Sequence, residues 1–165
     1  MRVFPLLAAA LLCVAPAAYA DPPAGYDFLS YDDGLRQARQ QQKRLFVYFG
    51  RLGCGWCERT NREAFSDPAL RARFVAHYVL VYVDSESGRR LTLPSGERIT
   101  EMELGVRFKA FATPVFAWID PDGRTILKVA GVQTVKDFDE FDRFVHGGIY
   151  RSKSFQQFLA DEHKP

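Results

Sequence analysis

Leu45-Phe46-Val47-Tyr48-Phe49-Gly50-Arg51-Leu52-Gly53-Cys54-Gly55-Trp56-Cys57 is the stretch that decides the architecture. Its first five residues are continuously apolar, the pattern of a β-strand buried on both faces. Gly50 to Gly53 reads as a loop, and the paired cysteines follow at once, opening a helix predicted from about Cys54 to Ala64. Two cysteines three apart at a helix start bring their sulfurs within disulfide reach. The first sits where unpaired N–H groups and the helix dipole favour a thiolate, the attacking species in disulfide exchange. The second is carried beneath it and is placed to resolve a mixed disulfide. Gly55 lets a partner chain approach closely, and Trp56 offers an apolar platform beside the sulfur.

Working outward, Ser30-Tyr31-Asp32-Asp33 marks a helix start with an acidic first turn, preceded by an extended leader from Asp21 to Tyr26. Ser66-Asp67-Pro68 caps a helix running through His77, and Tyr78 to Asp84 is a second buried strand. Residues 85–99 are polar and hold a small hairpin insertion around Pro94-Ser95-Gly96-Glu97. Thr100 and Glu103 form a capping box for a helix to about Lys109. Thr113-Pro114 introduces a strand from Val115 to Ile119, Asp120 to Gly123 is a turn, and Thr125 to Ala130 pairs back. Thr134 caps a helix bearing Phe138, Phe141 and Val145, and a last helix spans Ser152 to Ala160. A parallel crossover followed by an antiparallel hairpin gives an α/β chain with a mixed sheet and helices on both faces. Phe49, Phe116 and Trp118 are expected in the core, where strand aromatics bury most area.

The chain has 165 residues and a formal net charge of +2. Met1 to Ala20 reads as a secretory signal peptide: a positive start, an apolar run and the small residues Ala18 and Ala20 at the cleavage point. Its removal leaves 145 residues, 21–165, as one domain with two cysteines. A charge so near neutral argues against nucleic acid as a partner. A domain of this size needs no disulfide framework, and a purely structural bridge across so short a loop would restrain the unfolded chain little. Zinc requires about four ligands, whereas His77, His146 and His163 are scattered singly. Covalent haem attachment requires a histidine after the second cysteine, where Glu58 stands. No metal and no cofactor are therefore expected.

The buried strand, Cys54-Gly55-Trp56-Cys57 at a helix start, Thr113-Pro114 opening the hairpin and Gly131 ending the last strand together resemble the thioredoxin fold. More narrowly, Tyr48-Phe49-Gly50, Phe65-Ser66-Asp67-Pro68, the insertion and the tail Tyr150-Arg151-Ser152-Lys153-Ser154-Phe155 resemble exported proteins of the SoxW type. The resemblance implies a thioredoxin-like fold with a mixed sheet of about four to five strands. It implies that Cys54 is the nucleophile and Cys57 the resolving cysteine of a redox-active disulfide. Pro114 is then the cis-proline facing the pair, and Thr113 offers backbone groups to an extended substrate.

The chain also departs from cytosolic thioredoxins. Tyr48 stands where they keep a buried aspartate, and an apolar residue near Leu80 replaces the usual lysine. Glu58, adjoining Cys57, is the candidate substitute modulator. The expected activity is that of a periplasmic thiol–disulfide oxidoreductase, monomeric, that reduces exported client proteins. A membrane thiol-transfer donor of the DsbD or CcdA kind would recharge it. The alternatives are an oxidase or isomerase running the exchange the other way, and a redox-inert module that holds a peptide near Thr113 and Trp56.

Overall fold

The sheet grows from the two long apolar runs. In the computed structural model, which describes residues 22–162 and 164, they form β1 (Arg44–Gly50) and β2 (Tyr78–Asp84), parallel from Arg44↔Tyr78 to Gly50↔Asp84. The leader expected at Met1 to Ala20 lies outside the described residues. On its other side β1 pairs antiparallel with β5 (Val115–Ile119), and β5 with β6 (Thr125–Ala130), giving the order β2-β1-β5-β6. Asp120 turns the last hairpin: its Oδ1 accepts the amides of Asp122 and Arg124, and Gly123 takes φ +92°, a left-handed conformation that favours glycine.

Alternation along these strands separates two kinds of core. Phe46, Tyr48, Tyr78, Leu80, Phe116 and Trp118 face one side, and Leu45, Val47, Phe49, Val79, Val81, Val115, Ala117 and Ile119 the other. The aromatic side is covered by α3 (Pro68–His77), α5 (Val135–Val145) and α6 (Phe155–Glu162). The aliphatic side is covered by α1 (Tyr31–Gln41) and α4 (Glu101–Arg107). Phe49, Phe116 and Trp118 are all fully buried, as their strand positions require. The helix starts follow their caps: Ser30 for α1, Asp67 with Pro68 for α3, and capping boxes at Thr100/Glu103 and Thr134/Asp137 for α4 and α5.

Two details add to the sequence expectation, and two depart from it. The extended segment around Tyr26 is held to the domain: Leu29 bridges Val81 along the outer edge of β2, and Tyr26 packs edge-on against Phe65. The insertion, β3 (Arg90–Thr92) and β4 (Arg98–Thr100), makes its own two-stranded sheet, which buries Leu91 and Ile99 in the aliphatic core. The last helix begins at Phe155 rather than Ser152, because Ser154 Oγ accepts the Gln157 amide and caps it there. The helix after the cysteines is α-helical only over α2 (Gly55–Thr60) and widens to a π-turn over Asn61–Phe65. The change falls where the Thr60 hydroxyl binds the Trp56 carbonyl and the Tyr48 phenol reaches that of Cys57.

Candidate active site

The β-register brings together residues far apart in sequence. Phe49 pairs with Val115, so the chain leaving β1 and the chain entering β5 lie at the same end of the sheet. The first leads to Cys54, the second from Thr113 and Pro114, joined by a cis peptide bond. Gly131, at φ +87° just after β6, donates its amide to the Pro114 carbonyl and holds that loop down.

Cys54 and Cys57 are joined as a disulfide with Cα atoms 5.2 Å apart. Cys54 is the N-cap of α2, and its Sγ accepts the Cys57 amide at 3.1 Å. The Thr113 hydroxyl lies 3.2 Å from the same sulfur, and the Thr113 carbonyl oxygen 3.5 Å away. The two cysteines are equally buried, at 2% and 1% exposure, so accessibility does not distinguish them. What distinguishes them is the pair of donors on Cys54, which will stabilise negative charge there once the bridge opens. The sequence by itself points to the helix N-terminus as the source of that stabilisation. The Thr113 hydroxyl was not foreseen, because only the strand register carries it to the sulfur.

Gly55 and Trp56 are exposed between the cysteines, Trp56 at 62%. Among the described residues no arginine hydrogen-bonds the sulfur: Arg51 pairs with Glu86 and Arg59 with Glu63. Glu58 is exposed. The side chain that does reach the resolving cysteine is Tyr48, fully buried, with its hydroxyl 3.1 Å from Asn61 Oδ1 and 3.4 Å from the Cys57 carbonyl. Burial, and next to it Tyr82, pushes the Tyr48 phenol well above its usual range. It therefore keeps its proton and serves as a donor, not as the base that a buried aspartate supplies. Beside the disulfide opens a hollow of about 560 Å³, lined by Trp56, Arg59, Glu63, Thr113, Gly131 and Val132 among others.

The chain belongs to the thioredoxin-like domain family, whose model matches residues 31–146. Among curated proteins, an uncharacterized protein of Archaeoglobus fulgidus is 32% identical over 84 residues. That stretch is 50% of this chain and 66% of the relative, a little under two thirds of its length. Among solved structures, a thioredoxin-fold protein from Helicobacter pylori has a TM-score of 0.62 at 22% identity, over 74% of this chain and 80% of that one. A putative disulphide-isomerase from Bacteroides thetaiotaomicron has a TM-score of 0.59 at 23% identity, over 78% and 94%. These likenesses establish the thioredoxin-like fold, an α/β mixed four-stranded sheet with a Cys54–Cys57 pair at its end.

Proposed function

We propose that the protein is an exported thiol–disulfide oxidoreductase of the SoxW-like kind, working in the periplasm as a reductase of client proteins. One observation carries the reading: Cys54 Sγ sits at a helix N-terminus under two hydrogen-bond donors, with a second sulfur bonded to it and a hollow alongside. In the reduced protein the Cys54 thiolate attacks one sulfur of a client disulfide and expels the other as a thiolate. The Cys57 thiolate then attacks Cys54 Sγ and releases the second client sulfur. Two electrons pass to the client and the Cys54–Cys57 disulfide is left. A dithiol donor must restore it, and a membrane thiol-transfer protein of the DsbD or CcdA kind has that chemistry. Thr113 and Pro114, with Gly55 and Trp56, would hold the client chain across the sulfur, the cis bond presenting the Thr113 backbone.

The uncharged Gly55-Trp56 pair and the diverted Arg51 and Arg59 favour the reducing direction, since no cation among the described residues hydrogen-bonds the sulfur to stabilise the thiolate heavily. The test is insulin reduction with dithiothreitol, together with capture of clients by single-cysteine variants. Cys57→Ser should accumulate mixed disulfides and Cys54→Ser none. No turnover would leave a redox-inert peptide-binding module. A pair still substantially reduced in a strongly oxidising glutathione buffer would turn the reading to an oxidase or isomerase.

A further inference from the structure

We propose that a second hollow, between α4 and the loop before Pro114, is a client subsite that seats one bulky uncharged apolar side chain on the far side of Thr113 from Trp56. This rests on the oxidoreductase reading and names the substrate class it selects: disulfides in extended segments with a large apolar residue next to the cysteine. The hollow is about 230 Å³, with apolar walls from Met102, Val106, Ala110 and Phe111 and a polar end at Arg51, Ser85 and Glu86. A cavity of about 150 Å³ is enough to take a benzene ring. Its apolar walls are unusually bare. Phe111 is 76% exposed, Val106 55% and Met102 49%. With Leu52 and Trp56, both in the segment around the cysteines, they make up five of the six large apolar side chains exposed among the described residues. A concentration of this kind marks an interaction surface.

Two observations fix the occupant. First, the polar end of the hollow carries no net charge: the Arg51 guanidinium lies 3.4 Å from the Glu86 carboxylate, so neither sign of side chain is favoured there. Second, Thr113 lines both this hollow and the one beside Trp56, and its hydroxyl touches Cys54 Sγ. Successive side chains of an extended peptide point to opposite sides. A chain lying along Thr113 with its cysteine at the sulfur therefore directs neighbouring side chains alternately toward Trp56 and Val132 and toward Val106 and Phe111.

The experiment compares two synthetic peptide disulfides, identical except that the residue beside the cysteine is Leu in one and Ser in the other. The full exported chain turns them over with dithiothreitol. The wild type should favour the Leu peptide in kcat/KM by roughly tenfold, as apolar seats discriminate. Val106→Ser, Phe111→Ser and their combination should bring that ratio toward one. Both changes are at exposed positions, and unaltered thermal unfolding shows that the fold survives. Turnover of both peptides at equal kcat/KM by the wild type overturns the subsite and leaves the oxidoreductase standing. So does a Leu preference that the combined variant keeps. No turnover of either peptide or of insulin overturns both readings.

Discussion

Replacing Thr113 by Val removes one donor from the nucleophilic sulfur and leaves almost everything else in place. Val keeps the β-branched shape of Thr, and the backbone of the loop is unchanged. What goes is the hydroxyl 3.2 Å from Cys54 Sγ. A hydrogen bond to a charged group contributes about 1.5–3 kcal/mol, and Thr113 is only half-buried, so the lower end applies. At 1.36 kcal/mol per pKa unit, the Cys54 thiol of the reduced variant should rise by about one unit toward the ordinary cysteine value. Cys57 N–H still donates to the sulfur, so the rise stops short of it. A disulfide sulfur is a poor acceptor, so nearly the whole loss falls on the reduced state. The couple should then become more reducing by about 30 mV, the equivalent of about 1.4 kcal/mol. Thiolate absorbance against pH gives the first quantity and equilibration with glutathione the second. Thr113→Ser, which retains the hydroxyl, should match the wild type in both. A Val variant whose pKa and potential equal those of the wild type would refute the argument that this hydroxyl tunes the sulfur.

Tyr48→Phe deletes the phenol that reaches Asn61 and the Cys57 carbonyl; urea unfolding should show a loss of about 1 kcal/mol, and an unchanged midpoint would show that the contact is idle. Phe138→Ala empties the centre of the aromatic core, where its ring meets Phe46, Phe65, Phe74, Phe116, Trp118 and Phe141, and should cost about 3–5 kcal/mol in the same assay. Gly34→Ala would ordinarily favour a helix by roughly 1 kcal/mol, but a Cβ there would lie 2.2 Å from Cγ2 of the fully buried Val81. The overpacking should win and lower stability by about 1–3 kcal/mol. His146 stacks on His77 at 3.5 Å between ring centroids, and its pKa is lowered by burial first and by His77 next, with Arg44 and Lys43 adding and Asp142 opposing. The unfolded chain then binds the proton more readily. Stability is held above about pH 6.5 and falls as pH drops through the lowered folded-state value, a slope that His146→Gln should reduce in denaturant midpoints taken across that range.

The parts of the fold written in consecutive residues could be read directly. The runs at Leu45 and Tyr78 had no reading other than buried strands, and Ser30, Asp67-Pro68, Thr100 and Thr134 each announced a helix start through a side chain that bonds only two or three residues on. The cysteine pair was legible for the same reason, since strand, loop and motif lie within the thirteen residues from Leu45 to Cys57. What escaped is long-range. The Thr113 hydroxyl reaches a sulfur 59 positions away, a contact set by the pairing of Phe49 with Val115. The π-turn at Asn61 follows where Thr60 and Tyr48 capture carbonyls, and nothing in Asn61-Arg62-Glu63-Ala64-Phe65 signals it. The capping box identified α4 but could not show that Val106 and Met102, exposed on it, stand beside Phe111 at one hollow.

The two tryptophans divide the molecule into two optical reporters. Trp118 is fully enclosed among Phe46, Phe74, Phe138 and Phe141, whereas Trp56 stands 62% exposed between the two cysteines. An excited indole is quenched by a neighbouring disulfide through electron transfer, so emission from Trp56 should brighten when the bridge is reduced. Its wavelength should shift when a client covers the ring. Trp118, shut away from solvent and from added iodide, should respond only when the core opens. Intrinsic fluorescence can thus follow redox state and client occupancy in one channel and the integrity of the fold in the other, without any label.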